Sequence, residues 1–322
     1  MQRSQLLAFV GRRLAGLALL LCIISFGVFS LVHLVPGSAE QVLISGRRPP
    51  SPERVEAIRE RYRLDESFWS QYTHWVRRAA VGDFGLSIRT GEPVARALRE
   101  RAAPTLFLGV YAWILVVSVG IPLGVLAAVK KRTAIDRAAV AMSVAGVSAP
   151  AFVTGIFLLY IFAVVLGWFP AFGQGSGFAG RLQHLTLPAL ALALTGIAPV
   201  LRFTRTGMLE TLEQDYIVFA RARGLSRARV LFGYGLRNAL IPVITAGGLL
   251  LGILLTGAVL VEVTFSIPGL GNLLIEAVNF HDIPVVQGVA MMTATLVIMV
   301  NLATDVLYMF IDPRIRFGQV AA

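Results

Sequence analysis

The chain has 322 residues, of which 56% are hydrophobic and only 15% charged, and its mean hydropathy is +0.74. A soluble domain carries about 25% charged residues, so this composition excludes a soluble globular enzyme. The net charge of +11 comes from 29 Lys and Arg against 18 Asp and Glu; in so apolar a chain the surplus serves orientation in a bilayer rather than nucleic-acid binding.

A bilayer core about 30 Å thick takes roughly 20 apolar residues of helix, because backbone groups in lipid must bond internally. Charge-free stretches of that length run over 14–39, 102–129, 138–180, 182–201, 238–261 and 283–304, which predicts six spans. The first follows Arg3, Arg12 and Arg13 and ends in Gly37-Ser38-Ala39. Those small residues suggest a signal-peptide cleavage site, but an apolar core of about 22 residues exceeds the usual 7–15, and a retained helix is expected. Cys22, the one cysteine, lies in this run and can form no internal disulfide.

The first connection, 36–101, is partly helical in pattern. Ser51 suits an N-cap, Pro52 the first helical position, and Glu53 and Glu56 the positive helix start, while Val55, Ile58 and Tyr62 share a face. A second amphipathic piece follows with Phe68, Tyr72, Trp75 and Val76. These helices either cap the outer ends of the spans or present a docking surface to an extracytoplasmic partner. The third stretch predicts a helix over 138–166 and then an external turn over 167–180, where Pro170 and a dense run of glycines interrupt it. The fourth carries His184, Pro188 and Pro199, which membrane helices tolerate where neighbours satisfy the freed carbonyls.

The fourth connection, 202–237, holds seven arginines. It contains Gly207, Asp215-Tyr216 and Phe219-Ala220-Arg221-Ala222-Arg223-Gly224-Leu225-Ser226, and it closes with Leu236 to Pro242. Small residues at every second position before a glycine permit close approach of another surface, and Gly224 can turn the backbone where a side chain would strain it. Two readings stay open here: a helix inserted into a partner's groove, or a solvated basic loop that sets orientation.

Lys130, Lys131, Arg132 and Arg137 in the second connection, the seven arginines of the fourth, the three at the N-terminus and Arg314 and Arg316 in the tail share one side, while the short connections opposite hold Arg181 alone. Both termini are therefore expected in the cytoplasm. The chain divides into a first span with an extracytoplasmic insertion (1–101), a five-helix core (102–312) and a cytoplasmic tail (313–322).

The two lysines sit in no phosphate-binding loop, so ATP hydrolysis by this chain is not expected. Gly175-Ser176-Gly177-Phe178-Ala179-Gly180 matches a dinucleotide fingerprint by spacing, but no strand precedes it and it reads as a turn. The four histidines are too scattered for a metal site, and neither a serine-hydrolase nor a zincin motif is present. No cofactor is expected. Glu262 and Asp305 lie at span ends, whereas ion-coupled pumps place a carboxylate at depth. An ion-coupled secondary transporter or channel stays as the alternative function, and a membrane-embedded enzyme as a third.

Seven segments in order resemble the permease subunits of ABC importers, more narrowly the first permease of the oligopeptide/dipeptide importer family. They are Arg12-Arg13-Leu14 with Leu34-Val35-Pro36-Gly37; Gly82 to Ser87; Ala220 to Ser226 with Leu236 to Pro242; Val261-Glu262; Phe265 to Gly271; Pro284 to Gly288; and Asp312 to Arg316. The resemblance implies an all-α integral membrane protein of six helices with the type I importer permease fold. It implies a partner permease related to this chain, two ATP-binding subunits and an extracytoplasmic peptide-binding protein, working by alternating access. By the same resemblance Asp215, Tyr216, Ala220, Arg221, Ala222, Gly224 and Leu225 form the ATPase-coupling loop. Two departures stand out: Ser38-Ala39 replaces a frequent Asp-Pro, and Val218 stands where the general importer motif has its leading glutamate. Relatives are also associated with nickel, glutathione, haem and sugars, and recognition resides largely in the binding protein.

Overall fold

In the computed structural model, residues 3–34, 56, 63 and 65–311 are described, and among them the chain is helical, with one isolated bridge between Leu86 and Pro93. The small residues at 37–39, most of the helix expected from Ser51 and the tail expected over 313–322 lie outside the described residues. The helices are α1 (Arg3–Leu34), α2 (Phe68–Ala80), α3 (Val94–Val129), α4 (Ala134–Ser148), α5 (Ala151–Leu158), α6 (Gly177–Leu212), α7 (Asp215–Ala222), α8 (Arg237–Thr264), α9 (Leu270–Asn279) and α10 (Ile283–Ile311). Four segments are long and apolar enough to cross a membrane: Val94–Val129, Gly177–Leu212, Ala246–Thr264 and Ile283–Thr304. The other two expected spans contain shorter apolar helices, Ala15–Ser30 and Ala151–Val165.

The third predicted helix is interrupted. Ala149 adopts φ −101°, ψ 126° because the ring of Pro150 excludes the helical region for the residue before it. The helix restarts when Val153 N–H and Thr154 N–H donate to Pro150 O, at 3.0 and 3.2 Å. Leu159–Val165 continues α5 as a wider π-helix, which closes with Leu166 N–H donating to Ile161 O. The expected turn is shorter than 167–180, because α6 already begins at Gly177.

The chain separates into two compact units, one formed by 1–105 with 268–298 and the other by 106–267 with 299–322. In the second, α6 is the central helix, packed against α4, α5 and α8. It keeps Pro188 and Pro199 inside an unbroken helix. Its core joins Leu108, Ala112 and Val116 of α3 to Leu185, Leu192 and Val200 of α6 and to Val243, Leu254 and Val261 of α8. Outward-facing Ile114, Leu249, Ile253 and Met299 are more than half exposed, the distribution of helices whose solvent is lipid.

In the first unit, the apolar face predicted for α2 packs on α1. Phe26 and Phe29 meet Phe68 and Tyr72 at ring separations of 5.4–5.9 Å, and Ser25 Oγ lies 2.9 Å from Tyr72 Oη. The turn at 83–94 is knitted into the same unit. Arg78 Nη2 donates to Asp83 Oδ2 at 2.6 Å, and Gly85 N–H donates to Asp83 Oδ1 at 2.9 Å. Asp282 is 3% exposed and accepts from Ser87 Oγ, Ile88 N–H and Arg89 N–H. Gly288 lets α10 approach this turn closely: a Cβ there would lie 2.7 Å from Val94 Cγ1.

Candidate functional site

The basic connection at 202–237 is mostly helix. α6 runs ten residues beyond Arg202 because Thr204, Gly207, Met208 and Thr211 remain buried while Arg202 and Glu210 point outward. Outside lipid a helix tolerates charge on one face, so the first arginine ends the apolar stretch and not the helix. Met208 packs with Val125, Ala128 and Ala239, and a Cβ on Gly207 would lie 3.0 Å from Ala239 O. The segment Leu236 to Pro242 is likewise helical: Leu236 ends the π-helix Arg229–Leu236, and α8 starts at Arg237.

Glu213 and Gln214 break the helix, and Ile217 N–H donates to Gln214 O at 3.0 Å to start α7. α7 has two faces. Ile217 and Ala220 turn inward to form a small cluster with Val230, Leu212 and Leu225. Asp215, Val218, Phe219 and Ala222, spaced as one helix face, turn outward. Val218 is 57% and Phe219 69% exposed, and Tyr216 and Arg221 are exposed beside them.

The turn after α7 is a Schellman motif. Gly224 N–H donates to Arg221 O at 2.9 Å and Leu225 N–H to Ala220 O at 3.3 Å, which satisfies two terminal carbonyls of the helix. Gly224 has φ +74°, while a Cβ there would meet nothing within 4 Å, so the requirement for glycine is conformational rather than steric. Ser226 then leads into a π-helix over Arg229–Leu236, accepting Val230 N–H on its carbonyl at 3.0 Å. The small residues at 220, 222 and 224 therefore form no single strip. Ala220 is a buried packing residue, Ala222 leaves the outer face low, and Gly224 makes the turn.

The second connection is fastened to the end of α6 that leads into α7. Arg205 Nε and Nη2 donate to Asp136 Oδ1 and Oδ2 at 2.6 and 2.9 Å. Arg132 N–H adds a third bond to Oδ2 at 2.9 Å. The Arg205 fork, then the Arg132 N–H, lowers the Asp136 carboxyl to about 2. Lys131 Nζ lies 3.0 Å from Glu213 Oε1. Sequence reasoning missed Val218 and Phe219 as surface residues, though two large apolar side chains in a run of arginines were a visible signal. It also missed Asp136 with Arg205, which are 69 residues apart and have no local signature.

The model of the family described as binding-protein-dependent transport system inner membrane component matches residues 120–317, and that for the N-terminal part of the membrane component matches 6–108. The chain is 40% identical over 312 residues to the glutathione transport system permease protein GsiC of Shigella flexneri serotype 5b, covering 97% of this chain and 100% of that protein. It is 38% identical over 337 residues to the dipeptide transport system permease protein DppB of Escherichia coli K12, covering 97% and 99%. In fold it is similar to the inward-facing MetNI methionine ABC transporter, with TM-score 0.57 and 19% identity over 67% of this chain and 96% of that one. These matches replace the ion-coupled alternative and the membrane-enzyme reading, and they bear out the resemblance of the seven segments: the chain belongs to the binding-protein-dependent transport system inner membrane component family, the non-catalytic permeases of ABC importers.

Proposed function

We propose that this permease carries di- or oligopeptides inward across the cytoplasmic membrane by alternating access, with six spans, both termini in the cytoplasm and the insertion between the first two spans outside. Its working complex contains a second related permease, two ATP-binding subunits and an extracytoplasmic peptide-binding protein. Peptide cargo is favoured by the named relatives, one for glutathione and one for dipeptide, each matched over 97% of this chain.

The coupling element is α7 with its turn, residues Asp215, Tyr216, Ala220, Arg221, Ala222, Gly224 and Leu225, to which Val218 and Phe219 are added. The observation that carries this assignment is the bare outer face of α7: a short, capped helix fixed from beneath by Ile217, Ala220 and Leu225 while Phe219 stays 69% exposed. An exposed apolar side chain among arginines, on a helix packed from beneath, is the anchor that a partner groove requires. ATP binding would draw the ATPase pair together and move this helix as a lever, and a partner can shift the permease only if it binds the two states unequally.

The test is site-directed cross-linking in the assembled complex. With Cys22→Ala as background, Phe219→Cys should cross-link to an ATP-binding subunit and not to lipid-restricted reagents. Uptake of a labelled dipeptide and of glutathione into membrane vesicles should stop with vanadate and persist with an uncoupler. Labelling of residues 205–235 from the outer side would overturn the orientation.

A further inference from the structure

The coupling helix is eight residues long and is joined to α6 by two residues, Glu213 and Gln214. A lever of that length transmits force only if its base is stiff. We infer that Arg205 and Asp136 are the positioning pair that stiffens it, clasping the second connection to α6 so that residues 130–137 and α7 move as one body. The inference rests on the coupling role proposed for α7 and adds to it a residue pair at the base of that helix, bonded to each other and to the backbone of Arg132.

Three features of the pair support a mechanical role. The contact is a two-point fork, with Nε–Oδ1 at 2.6 Å and Nη2–Oδ2 at 2.9 Å, which fixes direction as well as distance. Asp136 is 5% exposed and the third bond to its carboxylate comes from the backbone N–H of Arg132, so the anion is tied to the chain turn itself. That turn is held in an unusual conformation, Arg132 having φ +66°, which a non-glycine residue adopts only when its surroundings enforce it. By contrast, Lys131–Glu213 is exposed on both sides and adds little stiffness. Between Arg205 and Leu212 the helix is unbroken, so displacement at its end passes directly to the clasp.

The experiment uses the complete importer in proteoliposomes with its binding protein. Arg205→Gln should lower peptide-stimulated ATP hydrolysis and uptake by about tenfold, with basal hydrolysis, KM for ATP and complex assembly unchanged; Arg205→Lys, which keeps the charge and loses the fork, should fall between. A purely structural role would lower basal and stimulated rates together. Spin labels at Ala134→Cys and Arg223→Cys, in the Cys22→Ala background, give a direct readout. The wild-type distance distribution should be the same in nucleotide-free and vanadate-trapped states, and Asp136→Asn should broaden it. That comparison stands even if Arg205→Gln fails to assemble. A wild-type distance that shifts on trapping, or full stimulation in Arg205→Gln, overturns the clasp. The Phe219→Cys cross-link separates the two ideas: a cross-link with normal coupling in Arg205→Gln sinks the clasp alone, and no cross-link sinks the docking assignment beneath it.

Discussion

The turn at 83–94 and the segment at 213–226 both carry motif residues and end their interactions in opposite ways. The turn closes on its own unit: Asp83 is taken by Arg78 and Gly85 N–H, Ser87 Oγ by Asp282, and Gly288 brings α10 within contact of Val94. Segment 213–226 satisfies its backbone by capping, buries Ile217 and Ala220, and leaves Val218 and Phe219 open. Motif density alone does not separate a packing device from a recognition device. The amount of adjoining apolar surface left open does: the turn exposes Leu86 at 38%, whereas α7 exposes Val218 at 57% and Phe219 at 69% side by side.

The comparison breaks most visibly in the turn. Asp282→Ala leaves Ser87 Oγ and the N–H groups of Ile88 and Arg89 without their acceptor and should cost about 3 kcal/mol, read as a lower unfolding temperature of the detergent-solubilised permease and a lower yield of assembled complex. Asp282→Asn, which keeps one acceptor oxygen, should cost about 1 kcal/mol. If neither variant moves the unfolding temperature, the turn is not the self-contained element described. The opposite signature is expected at α7. Phe219→Asp should leave the unfolding temperature within error and cut peptide-stimulated ATPase activity roughly 30-fold, or about 2 kcal/mol of docking. Loss of stability with coupling intact would reverse the assignment of the two regions.

The sequence revealed unequal parts of this. Four of the six expected spans were legible, at Val94–Val129, Gly177–Leu212, Ala246–Thr264 and Ile283–Thr304, because lipid demands about 20 charge-free helical residues and a charge is easily seen. The break at Ala149 was missed although Pro150 stood in view, since a criterion of apolarity ignores backbone restriction by proline. The extension of α6 to Leu212 was missed for the converse reason: the chain becomes charged there while its buried face, Thr204 to Thr211, continues. Gly224 was legible as a turn because glycine takes φ +74° at the least cost of any residue. Phe219 was overshadowed by the alternation of alanines around it, which on a helix points to opposite faces. The partnership of Arg205 with Asp136 depends on tertiary packing and has no expression in local pattern.

Gly224 sharpens the contrast on a smaller scale. Gly224→Ala should weaken the cap by about 1 kcal/mol through the left-handed φ alone, since open space surrounds the site. Gly224→Asn, which tolerates that conformation, should retain most of the coupling ratio. Equal loss in the two variants would mean that the partner's surface presses on this position and that the steric reading outweighs the conformational one. The measurement is stimulated over basal ATPase activity, with unfolding temperature as the control.

The smallest expected effect is an absence of pH dependence, and it tests whether the base of α7 is permanent or switchable. The Asp136 carboxyl is depressed to about 2 in the folded chain, mainly by the Arg205 fork, against ~4 for an unstructured aspartate. A depressed carboxyl contributes stability that is complete above the unfolded value and disappears as pH falls through the folded one. The window of change therefore lies between ~4 and ~2, below neutral pH. Between about pH 5 and 8 the difference in unfolding temperature between wild type and Asp136→Asn should be constant, and the interlabel distance between positions 134 and 223 should not move. A difference that varied across that range would mean that the carboxylate takes up a proton during normal operation, which would make the clasp a switch in the transport cycle rather than a fixed mount for the lever.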